Sequence, residues 1–418
     1  MHLSKVPRLV QWWVTPKLPK EHIFISDVLK PNGFFEVLRV YFRKWVIHPI
    51  KRRVARYYLW FLKSIFGLKV VGITGSAGKT TTKEMLTSIL KRAGPTVNSY
   101  ANIDPVYNIP STILRCLPGT KYLVLEMGVE YPGEMDFYLW LGRPDIGVIT
   151  NIYPTHTKFF GSVEGVFAEK TKLVKSLGPN QAAVLNCENE YIAKLNKKLK
   201  CKIVWFGKGG GLYSSSEKTK KNFNTEFKLN ILNETVNIQI PTLGKQFVNN
   251  ALAAASVAYY WDVSLDKIKK GLEDFQVPEH RMRIIRHKSG ALIVDDSYNN
   301  NPMAAKETTK TVKETFKGKD LCVVFGDMLE LGNLEEKYHK ELGEYFGGMG
   351  VDKLICVGEA VGITADYAAK KLGRNNVYFV SHWKEALTVL RPLLNRRSVV
   401  LVKGSRRIGL DNLISQLS

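Results

Sequence analysis

Residues 70–86 read VVGITGSAGKTTTKEML: a β-branched run, a turn containing Gly75 and Gly78, then Lys79-Thr80 opening a helical pattern. Strand, glycine turn and helix in that order make a phosphate-binding loop, where backbone N–H groups and a helix N-terminus face an anion. The generic loop is G-x-x-x-x-G-K-[ST], but the residue five before Gly78 is Ile73. This loop is a shortened version. Its residues Gly75, Ser76, Ala77, Gly78, Lys79, Thr80 and Thr81 are expected to bind nucleotide phosphates. Lys79 supplies a point charge there, and Thr80 a hydroxyl for Mg²⁺.

From Leu68 onward, apolar β-branched runs alternate with helical patterns, which predicts parallel sheets with crossover helices. YLVLEMG (122–128), IGVITNI (146–152), AAVLN (182–186) and KIVWFG (202–207) read as strands after the loop strand. Short antiparallel strands follow, then the alanine-rich helix of LGKQFVNNALAAASVAYYW. A second series begins after QVPEHRMRII, with ALIVDDSY, LCVVFGDM, KLICVGE, NVYFVS and VVLVKGS. The expected division is an ATP-binding α/β domain over 68–279 and a Rossmann-like, doubly wound domain over 280–418, preceded by a basic, aromatic, helical segment over 1–67.

Among the 418 residues, 45% are hydrophobic and 24% charged, and no run of eighteen apolar residues marks a membrane span. The N-terminal stretch breaks its apolar residues with Lys5, Arg8, Lys17 and Lys20, unlike a secretory signal, so the expected compartment is the cytoplasm. The five cysteines are scattered without a C-x-x-C pair, which argues against a disulfide framework or zinc site. The net charge of +23 favours anionic partners: nucleotides, nucleic acid or anionic lipid. Residues 1–67 hold thirteen Lys or Arg against Glu21, Asp27 and Glu36, so this sixth of the chain carries +10 of that total.

Other chemistry-bearing residues fall at strand ends. Glu126 closes a strand and is placed to present a carboxylate to Mg²⁺; a solvated strand end explains it equally. His156 in TNIYPTHTKFFGS reads as a metal ligand or as a loop histidine bonded to a carbonyl. Lys170 lies on a lysine-rich helix, where a solvated face is the plain reading.

Taken in order, GSAGKT, YANIDPVYNIPST, LEMG, PDIGVITNIYPTHTKFFGS and AEK resemble the Mur ligase family, whose phosphate loop has this shortened form. EHRM, DDSYNNNP, FGDMLELG and LVKGSR resemble its MurF branch, which adds D-alanyl-D-alanine to a muramoyl-peptide precursor of peptidoglycan. The resemblance covers about 68–418. It implies ATP-dependent amide formation through an acyl phosphate, with two Mg²⁺ sites and peptide and amino-sugar precursors as substrates. By the same resemblance Lys79 and Thr80 hold phosphates and the first Mg²⁺, Glu126 and His156 are metal ligands, and Lys170 is the lysine carbamylated by CO₂. Asn250 matches an adenine-side asparagine, Arg281 an arginine reaching the phosphates and Asp296 a ribose contact. Tyr298, Asn299, Asn301, Asp327, Glu330, Lys403 and Arg406 match the region that binds the second substrate. His339 fits a family pattern and reads equally as a helical surface histidine. On residue chemistry alone, Asn250 reads also as a helix-start cap and DDSYNNNP as an Asx-rich turn.

Three departures accompany the resemblance. Gln246-Phe247 stand where the family usually has His-Asn, and Lys172 where it often has glutamate. Residues 1–67 show none of the glycine-rich strand pattern of the family's UDP-sugar domain, so the expected donor includes lipid-linked or poly-γ-glutamyl alternatives. Instead, GFFEVLRVYFRKWVIHPIKRRVARYYLWFLKSIFG interleaves aromatic and basic residues. This suits either a helix lying on an anionic membrane or helices packed on the ATPase domain with basic faces in solvent. A nucleic-acid-binding NTPase is the reading of another class, disfavoured by the acidic and amide-rich motifs of the last domain. Nothing in the sequence indicates an oligomer.

Overall fold

The computed structural model describes residues 13, 33–100, 103–196, 199–232 and 234–417. A nine-stranded sheet in the order β2-β3-β1-β4-β5-β6-β7-β8-β9 forms its first half. Strands β1 (Lys69–Thr74), β2 (Thr96–Asn98), β3 (Tyr122–Glu126), β4 (Ile146–Ile149), β5 (Ala182–Asn186) and β6 (Lys202–Phe206) are parallel. β7 (Leu212–Thr219), β8 (Thr225–Ile231) and β9 (Glu234–Ile240) add the antiparallel meander. β1 sits between β3 and β4, so the chain leaves it toward one side and returns on the other. That is a topological switch point, and in open parallel sheets ligands bind beyond the strand carboxyl ends there. In register, Ile73 pairs with Glu126 and Thr74 with Ile149. The phosphate loop, Glu126 and the 150–156 segment therefore leave the sheet together.

The second sheet has the order β10-β11-β15-β12-β13-β14. β11 (Leu292–Asp295), β15 (Ser398–Lys403), β12 (Asp320–Gly326), β13 (Lys353–Val357) and β14 (Val377–Val380) are parallel, while β10 (Arg283–Arg286) is an antiparallel edge. The mixed α/β architecture matches the expectation. Strands β2 and β10 were not expected as strands: both are short edges, and β10 is only two half-buried isoleucines flanked by two exposed arginines.

Residues 34–66 are helical throughout, with one wider turn at Arg43–Ile47. Gly67, at φ 65°, ends the helix in a left-handed conformation that costs glycine little. Leu59 and Leu62 pack into the core beneath the first sheet with Ile109, Ile113, Phe137 and Leu141. The segment therefore packs on the first α/β half, but its polarity differs from the basic-face-out expectation. Arg52 and Arg53 are buried on the protein side, with Arg52 over the Phe137 ring at 5.7 Å and Arg53 over Trp140 at 5.8 Å.

Candidate functional site

The phosphate loop is shaped by two glycines and stapled from behind. Gly75 has φ 150° and Gly78 φ 79°, and a Cβ at either position would collide with the Thr150 hydroxyl or the Asn250 carboxamide respectively. Ser76 donates its N–H to Asn151 O at 3.0 Å, and Ala77 donates to Asn151 Oδ1 at 2.7 Å. The Thr150 hydroxyl donates to Ala77 O at 2.6 Å. The following helix, Lys79–Lys91, leaves its first N–H groups without intrahelical acceptors, facing the loop's open side.

Lys79 is half-buried with Nζ 3.1 Å from Gly75 O, and its stem passes under Gly128, which has no Cβ to obstruct it. Burial lowers the Lys79 pKa, Glu126 opposes that shift and Arg281 adds to it. Arg281 of the second half thus lies within electrostatic reach of the loop lysine. The Thr80 hydroxyl donates to Glu126 Oε1 at 2.9 Å. A hydroxyl and one carboxylate beside a phosphate loop suit Mg²⁺, which keeps several waters and takes few protein ligands. Among the described residues no group of three or more His, Cys, Asp or Glu is placed to hold a metal ion. Behind Glu126 stands Lys83, fully buried, bonded to Ser99 O at 2.9 Å and 3.7 Å from Glu126 Oε2. Sequence reading missed Lys83, although its i+4 spacing from Lys79 puts both on one helix face.

His156 and Lys170 depart from their plain readings. His156, at φ 54°, bonds a carboxylate and not a carbonyl: its Nδ1 lies 2.5 Å from Glu330 Oε2. Glu330 Oε1 accepts from Arg407 at 2.6 Å. Burial would raise the Glu330 pKa, but the His156 hydrogen bond and the charges of His156 and Arg407 outweigh it and hold the carboxyl low. Beside this pair, Lys158 N–H donates to Glu330 O at 3.0 Å and the Thr157 hydroxyl to Leu331 O at 2.8 Å. The His156, Lys158 and Thr157 contacts join the two halves of the chain, while Arg407 holds Glu330 from within the second half. Lys170 is not on a solvated face; it is 1% exposed, with no hydrogen bond or ion pair among the described residues. Burial and then Lys79 push its pKa well below the usual lysine range, against Glu134, Glu169 and Glu130. The lysine at 172 has its own partners, Asp136 at 2.6 Å and Glu169 at 2.7 Å.

The carboxyl edge of the second sheet gathers most of the remaining candidates. The Tyr298 ring has two guanidinium groups near it, Arg281 at 4.3 Å and Arg406 at 5.4 Å from its centre. Asp296, the expected ribose contact, is ion-paired with Lys403 at 2.6 Å and accepts from Thr308 at 3.1 Å. Lys403 also reaches Asn299 O at 3.2 Å. Asn301 caps the helix Pro302–Thr315 through Ala304 N–H, the Asx role open to it from sequence. Asp327 lies apart: both its oxygens accept N–H groups, from Glu359 at 2.9 Å and Val361 at 2.7 Å, at the start of the helix Val361–Leu372. Its carboxylate is occupied by the scaffold. The surface reading of His339 is corrected, because the ring is fully buried, accepts from Met328 N–H and bonds Thr364 at 2.9 Å. Burial pushes its pKa down to about 4.

A cleft of about 910 Å³ opens between the halves. Thr150, Asn151, Gln246 and Asn250 line one wall, and Glu307 and Thr311 the other. Thr150 and Asn151 are the loop's staples and Asn250 packs on Gly78, so the cleft runs on from the phosphate loop. Its walls mix these amides and hydroxyls with lysines such as Lys218 and Lys245 and glutamates such as Glu188 and Glu307, and can hydrogen-bond a base and ribose while the loop takes the phosphates.

The family comparisons agree with this geometry. The Mur ligase middle-domain model matches residues 73–258 and the Mur ligase glutamate-ligase-domain model residues 280–406. The chain belongs to the Mur ligase family, ATP-dependent ligases that form amide bonds. Within the family it is of the MurF type. It is 33% identical, over 83% of its length and 75% of the relative's, to a UDP-N-acetylmuramoyl-tripeptide--D-alanyl-D-alanine ligase of Buchnera aphidicola subsp. Baizongia pistaciae. It is 31% identical to the Escherichia coli enzyme of that name, over 84% and 76%. Among solved structures, MurF from Acinetobacter baumannii superposes with TM-score 0.80 at 28% identity, covering 88% of this chain and 80% of that one. MurF from Thermotoga maritima in complex with ADP gives TM-score 0.78 at 25% identity, over 88% and 83%.

Proposed function

We propose that this chain joins D-alanyl-D-alanine to the terminal carboxylate of a muramoyl-tripeptide precursor, with cleavage of ATP to ADP and phosphate, in peptidoglycan synthesis. The observation that carries the reading is the two-sided phosphate site: Lys79, Thr80 and Glu126 on one half, with Arg281 brought up from the other. A donor carboxylate oxygen attacks the γ-phosphorus, the bond to ADP breaks, and an acyl phosphate forms. The amine of the second substrate then attacks the acyl carbon, loses its proton, and phosphate leaves with the donor's oxygen. Lys79 and Arg281 neutralise charge on the transferring group, and the loop N–H groups align it. In this reading Asn250 and Asp296 serve the nucleoside, and Tyr298 with Arg406 the second substrate.

Thr80 and Glu126 would hold Mg²⁺, which when bound offsets phosphate charge. His156 and Lys170 are assigned to a second Mg²⁺. As a carbamate, Lys170 would carry a negative charge in place of an ammonium that its buried setting disfavours. In this reading the reaction runs in the cytoplasm, at the inner face of the membrane. A lipid-linked muropeptide donor is a second reading, favoured by the exposed Ile50, Val54, Tyr57 and Phe61 on the helical segment 34–66. The test is mass spectrometry of products from purified protein, ATP, Mg²⁺, UDP-muramoyl-tripeptide and D-alanyl-D-alanine. A pentapeptide product that disappears with Lys79→Ala supports the reading; ATP-dependent product from the lipid-linked donor alone replaces it with the second.

A further inference from the structure

The helical stretch 34–66 turns its apolar side outward. Ile50, Val54, Tyr57, Phe61 and Ile65 recur at steps of four, three, four and four, which places them on one helix face, and they are 41–64% exposed. The opposite face carries Leu59 and Leu62 into the core together with the buried Arg52 and Arg53. A helix whose outer face met only water would show the reverse arrangement. Toward the N-terminus, Phe34, Phe35, Leu38 and Phe42 are 55–82% exposed. Among them Arg39 and Arg43 are exposed and have no ion pair among the described residues. No described helix is long and apolar enough to cross a membrane. Exposed aromatics interleaved with unpaired arginines suit a helix lying in the headgroup layer, with rings at the acyl boundary and guanidinium groups at lipid phosphates.

We propose that the outward face of residues 34–66 seats the protein on an anionic lipid bilayer. Charge complementarity selects this occupant over a second copy. A second copy would bring another chain of net charge +23, with its own exposed Arg39 and Arg43, onto this face, whereas an anionic surface attracts these charges. The helical run is long enough for extended contact: 33 residues at 1.5 Å each span about 50 Å. The inference stands apart from the ligase reading, since neither its residues nor its test involves ATP turnover.

The test is co-sedimentation of the full chain with vesicles of roughly two-thirds phosphatidylcholine and one-third phosphatidylglycerol, and with phosphatidylcholine alone. Stronger partition onto the anionic vesicles, weakened by salt, is expected. Replacing Ile50, Val54 and Phe61 together by Ser removes apolar surface that faces solvent in the free protein, so the fold is kept. The variant should bind ADP normally and partition about tenfold less. Arg39→Gln with Arg43→Gln should weaken partition by roughly tenfold and flatten the salt dependence. Three outcomes overturn the proposal: no binding of the wild-type chain to anionic vesicles, equal partition by the Ser variant, or light scattering that shows a dimer dissolved by the Ser substitutions.

Discussion

Glu330→Gln tests how the two halves are held together. The substitution keeps side-chain length and one acceptor oxygen, and it leaves the backbone bond from Lys158 and the Thr157 hydroxyl bond to Leu331 O untouched. It removes a charge that lies 2.5 Å from His156 and 2.6 Å from Arg407. A hydrogen bond with a charged partner contributes about 1.5–3 kcal/mol. The Arg407 contact lies within the second half and is kept in both arrangements, so it does not enter this balance. We take about 2 kcal/mol for the pair, which at 1.4 kcal/mol per tenfold is about 30-fold in the equilibrium between closed and open arrangements. Small-angle scattering during titration with a non-hydrolysable ATP analogue and Mg²⁺ reads that equilibrium directly. The midpoint for compaction should rise by up to about 30-fold, and kcat/KM should fall in parallel. A Gln variant whose compaction curve and kcat/KM superpose on the wild type would refute the argument.

Other substitutions separate chemistry from scaffold. Lys170→Met should leave stability near neutral pH unchanged or higher, because it removes a buried ammonium site, while turnover falls by roughly a hundredfold or more. The unfolded lysine binds a proton that the folded one, with its lowered pKa, gives up. Wild-type stability should therefore gain up to about 1.4 kcal/mol per pH unit from this group as pH rises toward 10, and urea melts of the Met variant should lack that share. His339, at about 4 in the folded chain against 6.5 unfolded, gives full stability above about pH 6.5 and loses about 3 kcal/mol as pH falls to 4. Denaturation midpoints of His339→Gln across that range should be flatter by this amount. Asp327→Ala strips two acceptors from the start of the helix Val361–Leu372 and should cost about 1–3 kcal/mol by chemical denaturation. ADP affinity, measured by calorimetry, should be unchanged.

The parts legible from sequence were those that local chemistry determines. A strand, two glycines and Lys-Thr specify the phosphate loop, because few other turns need that order, and the β-branched runs specify the parallel strands. Glu126 was legible for the same reason, since a strand end beside a phosphate loop has one edge of the sheet to face. What escaped depended on tertiary partners. Lys170 looks solvated from a helix rich in lysines, and only packing shows it to be buried. His339 sits in a charged helix, yet it faces Thr364 and the backbone of Met328. The inward turn of Arg52 and Arg53 needs Trp140 and Phe137, which are more than eighty residues away. Asp327 sits at a strand end as ligand residues do, and the helix it caps begins thirty-four residues later.

The central claim is that ATP is spent on making an acyl phosphate of the donor carboxylate. The direct measurement is to label that carboxylate with ¹⁸O and follow the label during ligation, using the donor that supports turnover, with Lys79→Ala as control. The account predicts that each amide bond formed sends one labelled oxygen into inorganic phosphate, and that label transfer stops in the Lys79 variant. Amide formation that leaves the phosphate unlabelled, or places the label in AMP, would contradict it.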